Sequence, residues 1–388
     1  MASEPISAEM VLFFILYGVT GAVAFFAALY LLLRRGNAFA PDVTPPLHLR
    51  RWAASFFAVS VLGHVWWYLF YIHSADIFSA DDLLHSTGYV MTVVLDCVTL
   101  LTTIAGTLLA MLQDRRRPVW PVFVAMLPFV VMGGAILVWP SKLLMQIAIA
   151  YILLLYALIT VYVAFAVRQY GRWLRDNYAD LERKEVWLSH VLLLVFLLAV
   201  IFYTLIENSV ALFFLFHFVE LSLFIFLLWR VETLPQLTEN SGDEQSLTSN
   251  NESTHHPSTP REVGYTAISG YVDMKKMEQM LADHCVDTHL YLQRDLTLQQ
   301  LAQALGTNRS YLSQYFSRQS LTYNTYINNL RINYFVRRYQ AVAASGTPFT
   351  VQQLASESGY RSYSTFSLAF KQRMGQSVTA WMRGDEAV

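Results

Sequence analysis

Seven apolar runs, each close to 20 residues long, occupy most of the first 230 positions of this 388-residue chain. They cover about 10–33, 52–72, 88–112, 119–139, 143–167, 187–206 and 209–229. A bilayer core needs roughly 20 apolar helical residues to cross it, and backbone groups inside lipid must be satisfied within the segment itself. Each run is therefore expected to be a helix. The balance of 55% hydrophobic against 14% charged residues excludes a uniformly soluble or a disordered chain, since soluble domains average about 25% charged. The first run is not expected to be a signal peptide: residues 1–9 carry Glu4 and Glu9 but no Lys or Arg, and the run is too long for an h-region.

Buried helices of a large soluble protein are the competing reading, and the loop charges argue against it. Arg34, Arg35, Arg50 and Arg51 flank the first connection, and Arg115, Arg116 and Arg117 form the third. Arg168, Arg172, Arg175, Arg183 and Lys184 crowd the fifth, and Arg230 closes the last run. The alternate connections hold Lys142 alone. Basic residues gather on the cytoplasmic side of inner-membrane proteins, so the N-terminus is expected outside and the C-terminus in the cytoplasm of a bacterial cell.

From Pro235 to about Arg261 the sequence turns to Ser, Thr, Asn, Glu and Pro. Such a segment cannot bury enough apolar surface to offset its ordering entropy. We expect a disordered cytoplasmic linker over 235–265, between a transmembrane domain at 1–234 and a second domain at 271–388. As a flexible coil the linker would span on the order of 30 Å. His255–His256 reads as linker composition rather than a metal site. Cys97 and Cys285, the two cysteines, lie in no CxxC or His-rich setting and give no disulfide framework.

The last hundred residues contain an internal repeat. Thr297–Gly306 reads TLQQLAQALG and Thr350–Gly359 reads TVQQLASESG. In each, Thr is a good N-cap and the Gln three residues on (Gln300, Gln353) completes a capping box. Leu298, Leu301, Ala302 and Leu305 form one apolar helical face, and Val351, Leu354 and Ala355 repeat it. Gly306 and Gly359 stand where a helix end needs positive φ. A second helix follows each turn, at 309–318 with Leu312, Tyr315 and Phe316 inward, and at about 362–373 with Phe366, Ala369 and Phe370 inward. Helix, tight turn, helix is the plan that places a recognition helix in the major groove of DNA. A connecting helix over 325–339 would hold the two units apart.

Over about Tyr291–Arg383 these residues resemble the AraC family of bacterial transcription regulators. The likeness rests on Gly359-Tyr360-Arg361-Ser362, Phe366, Phe370-Lys371, Gly375 and Arg383, and on Leu330-Arg331-Ile332. The family commonly has Thr-Pro where this chain has Ser377-Val378. The resemblance implies a seven-helix DNA-binding fold. It implies base contacts from Arg309, Ser310, Ser313, Gln314, Tyr363, Ser364 and Ser367, and phosphate contacts from Arg318, Arg361, Ser362, Lys371 and Arg373. Gln suits bidentate pairing with adenine, and Ser suits several base edges. Residues 271–388 hold 12 basic against 8 acidic side chains, a small excess that implies modest non-specific affinity and a shallow salt slope.

Polar groups inside apolar spans are costly and invite a functional reading. His64, Asp96 and His217 each fall roughly 12–14 Å from the outer surface at 1.5 Å per residue, and Glu220 follows one turn after His217. This layer could bind a polar ligand or a cation, carry a proton switch, or serve as interhelical hydrogen bonds alone. Protease, hydrolase and nucleotide motifs are missing from the sequence, so neither catalysis, nor a cofactor, nor a bound metal is expected. The expected fold is all-α, a seven-helix transmembrane bundle followed by an all-helical domain with two helix-turn-helix units. The expected function is a membrane-anchored one-component regulator binding promoter DNA, with RNA polymerase, the lipid bilayer, a second copy of the chain and an unidentified signal ligand as further partners. A transporter or membrane enzyme with a fused DNA-binding domain is the alternative.

Overall fold

In the computed structural model, described over residues 8–34, 36–73, 86–181, 184–192, 195, 210–237, 274–346 and 348–385, the apolar runs form long helices. They are α1 (Ala8–Leu33), α2 (Leu47–His73), α3 (Thr87–Met111), α4 (Trp120–Val138), α5 (Lys142–Asn177) and α6 (Val210–Thr233). Six helices among the described residues are long and apolar enough to cross a membrane. The run expected at 187–206 lies mostly outside the described residues, as does most of the linker expected at 235–265.

The outward faces of these helices carry large apolar side chains. Phe26, Leu33, Phe123, Val131, Leu143, Phe165 and Phe218 are each more than half exposed. A soluble domain rarely shows so continuous an apolar exterior. Polar groups turn inward or satisfy themselves. In α3 the hydroxyls of Thr99, Thr102, Thr103 and Thr107 donate to carbonyls four residues back at 2.6–2.8 Å, which satisfies them within the helix itself. Helix α2 packs against α1, α3 and α6. Its approach to α3 depends on Gly106, where a Cβ would run into the Trp52 ring. At one end, Glu232 of α6 receives the Tyr30 hydroxyl at 3.2 Å and pairs with Arg50 at 3.5 Å.

The remaining helices are α7 (Met274–Leu281), α8 (Leu298–Ala304), α9 (Arg309–Arg318), α10 (Tyr323–Ser345), α11 (Val351–Glu357), α12 (Tyr363–Met374) and α13 (Val378–Asp385). Both capping boxes form. Thr297 accepts from the Gln300 backbone at 3.2 Å while Gln300 accepts from Thr297 N at 2.9 Å. Thr350 and Gln353 do the same at 3.1 Å each way. Gly306 and Gly359 have φ of +64° and +87°. Gly359 is doubly constrained, because a Cβ there would meet the Leu292 carbonyl oxygen at 2.7 Å.

Helix α10 is longer than the expected 325–339. Thr322 caps it at Thr325 N, and Gly346 at φ +66° ends it. The helix joins two small cores. Tyr323 and Ile327 belong to the first, with Leu301, Leu312 and Phe316. Ile332, Phe335 and Tyr339 belong to the second, with Leu354, Phe366 and Phe370. Between them Arg331, 1% exposed, donates to the carbonyls of Tyr291 and Gln293 at 2.7 Å each and lies over the Tyr360 ring. Ser377 takes over the start of the last helix, its hydroxyl accepting from Ala380 N at 3.2 Å, and Trp381 packs on Tyr339 and Phe370.

By packing, the chain separates into two units. One comprises Met1–Tyr170 and Arg183–Gln236, and the other comprises Gly171–Glu182 and Leu237–Val388. The short segment after α5's last apolar turns thus belongs with the repeat-bearing helices, an assignment that neither periodicity nor composition anticipates.

Candidate DNA-binding face and a buried polar cluster

Helices α9 and α12 each bury one stripe and leave the other open. In α9, Leu312, Tyr315 and Phe316 are buried. Ser310, Gln314 and Arg318 are exposed and Ser313 is half-buried. In α12, Phe366, Ala369 and Phe370 are buried, whereas Tyr363, Ser364, Lys371 and Arg373 are exposed and Ser367 is half-buried. An i, i+3, i+4 burial pattern leaves the opposite face free to meet a partner, and the open faces are the ones carrying the side chains singled out from sequence. Lys371 and Arg373 sit in the last turn of α12, where cations also complement the helix dipole.

Several of the expected DNA-facing residues have partners within the domain, Ser364 with Ser362 at 2.9 Å and the Tyr363 ring with Phe366 among them. Ser362 is the N-cap of α12, its hydroxyl accepting from Thr365 N at 3.3 Å. Arg361 pairs with Asp295 at 3.3 Å, with both side chains about half exposed. Arg309 donates from Nε to the Asn177 side-chain oxygen at 2.8 Å.

Asn177 belongs to the segment Gly171–Glu182, which is built into this domain at several points. Tyr178 and Thr297 form an isolated antiparallel bridge, and Ala179 N donates to Leu296 O at 3.3 Å. The Asn324 amide donates to the carbonyls of Tyr178 and Ala179, at 3.2 and 2.7 Å. Ala179 itself is 2% exposed, within the first core. Sequence reasoning missed this segment because it counted 168–184 only as a basic connection.

Residues 301–384 match a helix-turn-helix domain family. The match supports an AraC-type DNA-binding domain of the kind that serves transcription regulation. The helix-turn-helix domain so defined takes in α9 through α13 and begins inside α8, so that α7 and the Gly171–Glu182 segment lie outside the matched region. No curated protein and no solved structure matches the chain.

In the other unit, part of the expected polar layer is brought together. His217 Nδ1 lies 2.9 Å from Glu220 Oε2, and His64 Nε2 lies 3.9 Å from the same oxygen. His217 and Glu220 are buried, and the His64 side chain is only 12% exposed. Helix α1, which sequence reasoning left out of the layer, supplies the wall. Thr20 Oγ1 is 3.0 Å from His64 Nε2. Tyr17 donates to the His64 carbonyl at 2.5 Å, and its ring packs on both imidazoles. Asp96 is oriented differently, accepting from Trp67 Nε1 at 3.2 Å. Gly63 makes room for it, since a Cβ there would meet Asp96 Oδ1 at 2.7 Å.

Proposed function

We propose that this chain is a membrane-anchored, one-component transcription regulator. The observation that carries the proposal is the joining, in one polypeptide, of long helices with apolar outer surfaces, six among the described residues, and a helix-turn-helix domain whose second helices each leave one polar face open. In this reading seven spans lie in the inner membrane, the six described helices and the run expected at 187–206, with the N-terminus outside. The basic excess of the alternate connections supports that orientation, and the DNA-binding domain is then cytoplasmic, where its partner is.

Ser310, Ser313 and Gln314 on α9, with Tyr363, Ser364 and Ser367 on α12, read base edges in two successive major grooves, and Arg309 joins them once freed from Asn177. Arg318, Arg361, Ser362, Lys371 and Arg373 set the register on phosphates, which fixes position without reading sequence. The buried cluster of His64, His217 and Glu220, with Asp96 beside it, is the sensing element. Promoter DNA, the bilayer, RNA polymerase and a second copy of the chain are the partners.

Genome-wide DNA occupancy of the tagged full-length protein tests this reading, beside a variant with Gln314 and Ser364 both replaced by alanine. Discrete sites for the wild type that fade in the variant, with both proteins in the membrane fraction, are expected. Occupancy without discrete sites, or sites unchanged in the variant, would refute specific regulation through these faces.

A further inference from the structure

We propose that His64, His217 and Glu220 form a binding site for a divalent transition-metal ion of the zinc type. The proposal names the ligand of the sensing element above and rests on that reading for its biological role, though not for binding itself.

The three ligand atoms, two imidazole nitrogens and one carboxylate oxygen, lie within 4.8 Å of one another. A tetrahedral ion with bonds of 2.0–2.1 Å spaces its ligand atoms roughly 3.3 Å apart. The observed separations of 2.9 and 3.9 Å from Glu220 Oε2 bracket that figure, so small side-chain rotations suffice. The donor set also chooses among ions. Two imidazoles and a carboxylate suit zinc and its neighbours, whereas calcium and magnesium prefer oxygen ligands alone.

An orienting bond prepares His64 for the task. Its Nδ1 lies 2.8 Å from the Ser60 carbonyl, an acceptor only, so Nδ1 must carry the proton. In the neutral ring Nε2 then holds the lone pair, directed at Glu220 and Thr20. Metal-bound histidines are commonly fixed by this kind of outer bond. His217 Nδ1 meets the carboxylate of Glu220 in the present arrangement; to bind the ion through Nδ1 the neutral ring would move its proton to Nε2 and exchange that hydrogen bond for the metal. Two neutral imidazoles and one carboxylate leave a bound divalent ion with one uncompensated positive charge. Zinc is held with this same net charge in sites built from two histidines and one glutamate. The site draws on two helices, α2 and α6, with Thr20 of α1 against it, so an ion there would fix their relative positions.

The test uses the full-length protein in detergent, stripped with chelator and titrated with Co2+, whose visible absorption reports tetrahedral coordination. Wild type is expected to bind one ion per chain with tetrahedral bands. Glu220→Gln, which keeps the size of the side chain and a hydrogen-bonding oxygen for His217, should weaken binding by more than the roughly 10–100-fold that loss of an outer partner costs. His64→Ala and His217→Ala should do the same. Size-exclusion profiles and DNA binding of the same preparations show that each variant is folded. Wild type without tetrahedral bands, or bands unchanged in all three variants, would overturn the proposal. Binding that disappears in the variants while DNA occupancy ignores added metal would uphold the site and remove its sensing role.

Discussion

Asn177 holds Arg309 away from any outside partner, so replacing Asn177 with alanine should tighten DNA binding. The bond runs from Arg309 Nε to Asn177 Oδ1 at 2.8 Å. Hydrogen bonds to charged groups contribute about 1.5–3 kcal/mol. Asn177 is buried, but Arg309 is exposed, which moves the figure to the low end, near 1–2 kcal/mol after solvent screening. If Arg309 must leave Asn177 to reach a base or a phosphate, that energy opposes DNA binding, and Asn177→Ala should raise affinity about 5–30-fold. Arg309→Ala alone should lower affinity by roughly 1–3 kcal/mol. The double variant makes the test sharp, because Asn177→Ala should have no effect once Arg309 is gone, and the coupling energy then equals the effect in the parent. Fluorescence anisotropy of the full-length protein in detergent, with a duplex taken from an occupied site, measures all four affinities. An Asn177→Ala variant that binds DNA more weakly than wild type would show that Asn177 aims Arg309 at DNA rather than withholding it, and the reasoning would fail.

Other expectations follow from the same packing. Arg331→Met should cost about 3–5 kcal/mol, since it removes two charge-assisted hydrogen bonds and a ring contact at a fully buried position; thermal denaturation of the DNA-binding activity should report a lower midpoint. Gly359→Ala should cost at least about 1–2 kcal/mol for the left-handed backbone alone, with the Leu292 carbonyl adding to it, and a variant as stable as wild type in chemical denaturation would contradict the turn geometry. Cys285 is fully buried, and burial pushes its thiol up to about 11. It therefore stays protonated throughout the neutral range, and mass spectrometry after thiol alkylation at mildly alkaline pH should find it modified only in denatured protein. The affinity for DNA should fall only gently between low and moderate salt, because few phosphates can be neutralised by the cations on the two recognition helices.

Much of this molecule is readable from local chemistry. Thr297 with Gln300 and Thr350 with Gln353 announce helix starts because the bonds they make are four residues wide, and Gly306 and Gly359 announce turns because few other residues accept positive φ. The long apolar runs are readable for the same reason, since helix formation in lipid is a property of the segment itself. What escapes is contact between distant segments. Arg331 reads as a family position on a helix, yet its role comes from meeting Tyr291 and Gln293 about forty residues away. The meeting of His64 with His217 and Glu220 could be guessed from depth, but Thr20 and Tyr17 carry no charge and gave no cue. Asp96, guessed at the same depth, meets Trp67 instead, and depth alone does not specify which partner a side chain meets. The docking of Tyr178 and Ala179 against Leu296, Thr297 and Asn324 uses backbone groups chiefly, which carry no signature in a sequence.

That docking gives the DNA-binding domain a second fastening. One covalent path enters it through 238–273, and the segment Gly171–Glu182, continuous in the chain with α5, is clamped into its first core. A protease that cuts once between residues 238 and 273 would therefore not set the domain free, because Ala179 and its neighbours would still hold it. Liberation would require that clamp to open as well, so cutting and letting go are separable events, each available to its own control.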